Sequence, residues 1–297
     1  MIFINYYDEI KNELVNNEIT KKVKDYSKNR SDLTTYYNVG KLLSEAGKHY
    51  GEGIIKEYSK RLTNEFETKF GITLLKRIRQ FYIVIEKGAT MSHQLSWSHY
   101  CELLPVNSID KINYYIKITK EQNLSIRELR TKIKNNEYER LDESTKEKLK
   151  EKEELKVPDL VKNPIQIKNT SGNNEISEKV LQKLILEDIP SFLDELGNGF
   201  TFVRNEYKIK IGDRYNYIDL LLFNYEFNCF VVVELKVSEL KKEHIGQIEF
   251  YMNYIDKNLK NINQNKTIGI IICKKENNYI IEYCSDDRIL AREYELI

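Results

Sequence analysis

Two apolar runs each lead to a carboxylate that such runs do not normally hold. The first is Tyr217-Ile218-Asp219-Leu220-Leu221-Leu222-Phe223, and the second is Phe230-Val231-Val232-Val233, which passes into Glu234-Leu235-Lys236. Runs of this composition belong to strands covered on both faces. Burying a carboxylate there costs several kcal/mol unless it is paired or holds a metal. The polar stretch Asn224-Tyr225-Glu226-Phe227-Asn228 between the runs suits a turn, so they read as a β-hairpin. If Phe223 pairs with Phe230, Asp219 falls opposite Glu234, with Cβ atoms about 4.5–5.5 Å apart. Lys236 projects from the face that carries Glu234. Opposed like charges destabilise a sheet, and a cation between them reverses the effect. Mg²⁺ suits such an oxygen-ligand site. The alternative is an Asp219–Lys236 ion pair with no metal, and a lone Glu-x-Lys is commonly a solvated strand end.

Asp219, Glu234 and Lys236 resemble the core of the PD-(D/E)xK nucleases. The resemblance implies that both acids and the main-chain carbonyl of Leu235 bind Mg²⁺ or Mn²⁺, and that Lys236 assists the attacking water. Residues 241–255 have helical spacing, with Ile245, Ile248, Met252 and Ile255 on one face. Gln247 and Tyr251 share a face and resemble the Gln-xxx-Tyr signature of RecB-like members. That likeness implies that Gln247 orients water at the metal or contacts DNA, and that Tyr251 contacts its backbone. The alternative is a surface Gln247 and a core Tyr251. His244 reads as a surface residue.

The 297 residues suffice for two domains. No apolar stretch of about 20 residues and no signal-peptide pattern occurs, so a cytoplasmic protein with no membrane partner is expected. Cys101, Cys229, Cys273 and Cys284 are scattered and read as reduced thiols, mostly buried. Charge is uneven: residues 1–156 carry 29 basic and 24 acidic residues, whereas residues 157–297 carry 18 and 22. A basic front half and an acidic back half suit a nucleic-acid-holding domain followed by a metal-holding one.

Residues 1–140 read as all-α, with helices at about 5–29, 31–48, 53–69, 72–86, 108–122 and 125–135. Gly71 reads as a turn and Thr73 as the cap of the helix after it. That helix sets Lys76, Arg77, Arg79 and Gln80 beside Leu74, Leu75, Ile78, Phe81 and Tyr82. Helix, glycine turn and basic helix suggest a helix-turn-helix with these four residues facing DNA. The alternative is a solvated face in an ordinary bundle. Ser96 or Ser98 can cap the helix after Trp97, and Ser125 with Glu128 forms a capping box. Residues 141–174 read as a charged helix and linker, broken by Pro158 and Pro164. From 175 to 297 a helix leads into strands, followed by a second helix and two further strands. The strands are expected at 200–203, 208–211, the hairpin, 267–273 and 279–283. This is an α/β domain with a mixed sheet.

The string LSWSHY, the stretch LSIRELRTKIKNNEYERL and the segment from FLDELGNGF through VVVELKV to TIGIIICKK resemble the bacterial YhcG-type family. That family joins a helical N-terminal domain to a PD-(D/E)xK nuclease domain. The resemblance implies a DNA-cleaving enzyme, sometimes associated with defence or mobile elements, and leaves a homodimer open. It also implies a glutamate on the first helix of the nuclease domain, where Gln182 stands. Glu178, one turn earlier, is expected to substitute, with one or two metals left open. The rival expectation is a DNA-binding recognition subunit on a degenerate nuclease fold, and a third is a charged scaffold protein.

Overall fold

The structure is a computed structural model that describes residues 6–23, 28–51, 53–66, 70–173, 175–284 and 286–297. The chain divides into two compact units, Met1–Tyr138 and Glu139–Ile297. Among the described residues no helix is long and apolar enough to cross a membrane.

The first unit is helical: α1 (Tyr6–Val23), α2 (Lys28–Tyr50), α3 (Ile54–Glu65), α4 (Ile72–Glu86), α5 (Trp97–Leu103), α6 (Ile109–Glu121) and α7 (Ile126–Lys134). Residues 24–27 and 67–69, expected to end helices, lie outside the described residues. Ile10 and Leu14 of α1, Val39 and Leu43 of α2, Leu62 of α3, and Leu75 and Ile78 of α4 recur at helical spacing and fill one core. Gly40 sets the approach of α2 to α4. A Cβ there would lie 2.5 Å from the Ile78 carbonyl oxygen and 2.7 Å from Tyr82 Cβ. Gly40→Ala gains about 1 kcal/mol of helix propensity but overpacks backbone that has little room to move. A net loss of about 1–3 kcal/mol is expected, read as a lower melting temperature; an unchanged or higher one would contradict this packing.

The motif strings of this unit are structural. Ser96 precedes α5, and its N–H donates to His99 Nδ1 at 3.1 Å. Trp97 packs against Tyr36 and Phe81, with ring centroids 4.7 and 5.6 Å away. The Ser125–Glu128 box forms as expected, with bonds of 2.7 and 3.3 Å. Thr73 does not cap α4. Gly71 takes the N-cap position in an extended conformation, without a side-chain cap.

The second unit contains α8 (Glu143–Glu151), α9 (Val157–Leu160), β1 (Ile165–Ile167), α10 (Glu178–Glu187), α11 (Ile189–Leu196), β2 (Phe200–Ile211), β3 (Arg214–Asn224), β4 (Cys229–Glu239), α12 (Lys242–Asn258), β5 (Ile268–Lys275), α13 (Asn278–Glu282) and β6 (Ile289–Leu296). The sheet order is β1-β6-β5-β4-β3-β2. The first three pairings are parallel and the last two antiparallel, so the sheet is mixed as expected. Val231, Val233 and Leu235 point to one face, against Leu181, Leu184 and Phe192 of α10 and α11. Val232 points to the other, against Ile248, Met252 and Ile255 of α12. Alternation puts Glu234 and Lys236 on this second face.

Four local expectations change. Residues 141–174 hold α8, α9 and β1, and β1 pairs with β6 at the sheet edge, so the stretch is built into the second unit. The two short strands expected at 200–203 and 208–211 are one, β2, with a register shift between Phe202 and Arg204. Residues 279–283 are not a strand: they fall in α13 and just past it, and Tyr279 and Tyr283 are exposed. The final strand is β6. Its Arg292 is buried, with the guanidinium bonded to Asp142 and to the carbonyls of Val161, Pro158 and Ala291. Of the cysteines, Cys229 and Cys273 are buried, while Cys101 and Cys284 are half-buried.

Candidate active site

Strands β3 and β4 pair from Leu220 opposite Val233 to Asn224 opposite Cys229, with Phe223 opposite Phe230 as counted. Asp219 and Glu234 occupy the next position, where the ladder stops. Beyond it β3 pairs with β2 and β4 pairs with β5, so the sheet forks at the two acids. At the fork Leu235 N–H donates to Asp219 Oδ2 at 2.8 Å. The carboxylate thus takes the bond that a ladder carbonyl would otherwise accept.

Glu234 is 1% exposed, and its Oε1 is buried with no hydrogen-bond partner. Its Oε2 accepts from Gln247 Nε2 at 3.0 Å and from Lys236 Nζ at 3.4 Å. Lys236 Nζ is also 3.8 Å from Glu178 Oε2 on α10. Burial, reinforced by Asp219, pushes the Glu234 carboxyl up to about 8, against the pull of Lys236. Asp219 is also raised, by burial first, against the Leu235 N–H and Lys236, with Glu178 and Glu206 adding to the rise. Two neighbouring acids that resist ionisation leave this centre short of positive charge. An orphaned carboxylate oxygen in an all-oxygen donor set fits a hard divalent cation. Asp219, Glu234 and the Leu235 carbonyl are the candidate ligands. Among the described residues no three His, Cys, Asp or Glu side chains converge as a ready-made metal group.

The structure brings most of the remaining candidates to this point. Glu178 Oε2, on α10, approaches Lys236 Nζ. Gln182 Nε2 donates to the Asp219 carbonyl oxygen at 3.0 Å, so it anchors the main chain of that acid. Gln247 also donates to the Tyr251 hydroxyl at 3.2 Å. The Tyr251 ring is 6% exposed and belongs to the core, so the expectation that it touches nucleic acid gives way to a supporting role behind Gln247. Two neighbours were not foreseen. Glu206 of β2 has φ +45° and acts electrostatically on Asp219; nothing in its sequence context marks a left-handed residue. His244 Nδ1 accepts from Lys241 N–H at 3.2 Å, and burial, Lys236 and Lys241 hold the ring below its usual pKa.

The basic residues of α4 lie in the other unit. Lys76 and Arg77 are exposed, and Arg77 acts on Cys101 and Glu102. Arg79 is half-buried. Gln80 Nε2 donates to the Leu104 carbonyl at 2.7 Å, so its amide is engaged within the unit. Helix α4 packs most extensively on α2 rather than on α3.

Residues 158–297 match the YhcG PDDEXK nuclease domain, and residues 9–140 match the DUF1016 N-terminal domain. The chain belongs to the YhcG family. It is 26% identical to the YhcG protein of Escherichia coli (strain K12) over 330 aligned residues, covering 95% of this chain and 88% of that one. Among solved structures, a repair endonuclease from Pyrococcus abyssi matches at 18% identity and a TM-score of 0.29, over 43% of this chain. An EndoMS–dsDNA2 complex matches at the same identity, score and coverage. The chain spans about half the length of each of those proteins. The forked mixed sheet of this YhcG-family chain therefore rests on its own topology, and its second unit is a nuclease domain of PDDEXK type.

Proposed function

We propose that this chain is a Mg²⁺- or Mn²⁺-dependent nuclease that hydrolyses phosphodiester bonds of DNA at the β3–β4 fork. The observation that carries the reading is the buried, unpartnered Oε1 of Glu234 beside Asp219 and Lys236. A divalent ion held by Asp219, Glu234 and the Leu235 carbonyl would neutralise charge developing on the phosphate and acidify a bound water. Lys236, held between Glu234 and Glu178, presents a positive donor to the phosphate or the attacking water. Gln247 orients Glu234, Tyr251 braces Gln247, and Gln182 fixes the main chain at Asp219.

The rival reading, a recognition subunit that holds DNA without cutting it, drew on Gln182 in place of glutamate. The bond from Gln182 to Asp219 and the approach of Glu178 to Lys236 favour the catalytic reading instead. The exposed Lys76 and Arg77 of the first unit supply phosphate contacts in either case. Lys236→Ala is expected to lower kcat by on the order of 10²–10³-fold while calorimetric Mg²⁺ affinity changes little. An equal loss in metal affinity would make Lys236 a structural partner of the acids. Salt-dependent DNA binding by a wild type that cleaves nothing in Mg²⁺ or Mn²⁺ would select the rival.

A further inference from the structure

Past the fork, residues 214–218 of β3 pair only with β2, so the β2–β3 hairpin continues as an arm beyond the acids. One side of this arm is closed, because Ile209 and Ile218 are buried in the core beside α12. The other side is open. There Lys208 stands opposite Tyr217 and Lys210 opposite Tyr215. Both tyrosines are 52% exposed, both lysines are exposed, and Lys208 Nζ lies 3.8 Å from the centroid of the Tyr215 ring. Exposed Arg204 and Arg214 add positive charge elsewhere on the hairpin, Arg214 opposite Ile211. Residues 204–217 carry four basic and two acidic side chains, although residues 157–297 as a whole are acidic. Tyr217 is two residues from Asp219, a rise of about 7 Å along the strand.

We propose that this face of the hairpin is a track for a single-stranded segment of DNA leading to Asp219. Its phosphates lie on Lys208 and Lys210, and its bases stack on Tyr215 and Tyr217. The proposal rests on the nuclease reading above and adds the form of the substrate. Charge selects a polyanion, and the two rings select an unpaired base. In a duplex the faces of each base are covered by its neighbours, whereas a single strand offers them to an aromatic platform. The rings are about 7 Å apart along β3, roughly twice the 3.4 Å rise of stacked bases, which leaves room for one base between them.

The test uses the full chain in EDTA, with a fluorescein-labelled oligothymidine 20-mer and a 20-base-pair duplex read by anisotropy. Y215A/Y217A should weaken single-strand binding tenfold or more and duplex binding less than twofold. Y215F/Y217F, which keeps both rings, should bind like the wild type. K208Q/K210Q should make the slope of log Kd against log salt shallower by about 1.4. Unchanged circular dichroism and melting confirm that each variant is folded. Single-strand binding unaltered in both the tyrosine-to-alanine and lysine variants overturns the track. So does loss of self-association, seen by sedimentation, in a Y215A/Y217A protein that binds DNA normally, because the face would then serve a second copy of the chain. Cleavage separates the two claims. A wild type that cuts nothing while the Y215A/Y217A effect holds removes the nuclease reading alone. A wild type that cuts, with DNA binding untouched in every hairpin variant, removes the track alone.

Discussion

Glu234→Gln is expected to abolish cleavage and, in the metal-free protein, to raise stability near pH 8. Both effects follow from one buried carboxyl. Its value in the fold is about 8, against an ordinary 4.5. The folded state therefore binds this proton more tightly than the unfolded chain. The contribution is most favourable below pH 4.5 and is lost as pH rises from there through 8. Glutamine keeps the shape and an oxygen that can accept from Gln247 but never ionises. The variant should match the wild type near pH 5 and exceed it by on the order of a few kcal/mol near pH 8. Saturating Mg²⁺ narrows the gap. At a hundred times Kd the ion stabilises the wild type by about 2.7 kcal/mol, and the amide forfeits most of that. Thermal melts at pH 5 and 8, with and without Mg²⁺, read all four states. Parallel pH profiles for the two proteins would show that Glu234 ionises normally and needs no cation.

Arg140→Ala should be the most damaging single change in the second unit. Arg140 and Glu195 are each 9% exposed. The guanidinium bonds both carboxylate oxygens, one at 3.0 Å through Nη2, and donates to the Pro164 carbonyl at 3.0 Å. Glu195 also accepts from the main-chain N–H of Gln166 in β1. Removing the arginine strands a buried anion, a loss of about 3–5 kcal/mol against a typical total of roughly 5–15 kcal/mol. Arg130–Glu102 is the contrast. It is a bidentate pair whose arginine is 64% exposed, and Arg130→Ala should cost less than about 1 kcal/mol. Urea unfolding of the two variants side by side checks the ranking. Equal midpoints would mean that Arg140 is hydrated and that β1 is docked by its apolar side chains alone.

What was legible in the chain was what repeats or alternates. The Phe223–Phe230 register could be counted because two apolar runs bracket a polar turn, and helices α3, α4, α6 and α7 carry clear periodicity or caps. The site's acids were legible because charge is costly in such runs. Strand β6 was hidden by Arg292, a buried cation whose partners, Asp142 and Val161, lie more than 130 residues away. Strand β1 is three residues long, too short for alternation to register. The family resemblance implied a missing acid at Gln182, whereas its amide serves the main chain of Asp219. Gln80 reads as a DNA-facing side chain until Leu104 supplies an acceptor. The fork itself has no local signal, because it arises where β4 leaves β3 to follow β5.

The central claim is that Asp219 and Glu234 hold a divalent ion for phosphodiester hydrolysis. Incubating the wild type and Asp219→Ala with supercoiled plasmid, linear duplex and single-stranded DNA, in Mg²⁺ and in EDTA, tests it most directly. Cleavage by the wild type in Mg²⁺ alone, with none by a folded Asp219→Ala, is the expected result. Cleavage by folded Asp219→Ala at the wild-type rate would contradict it.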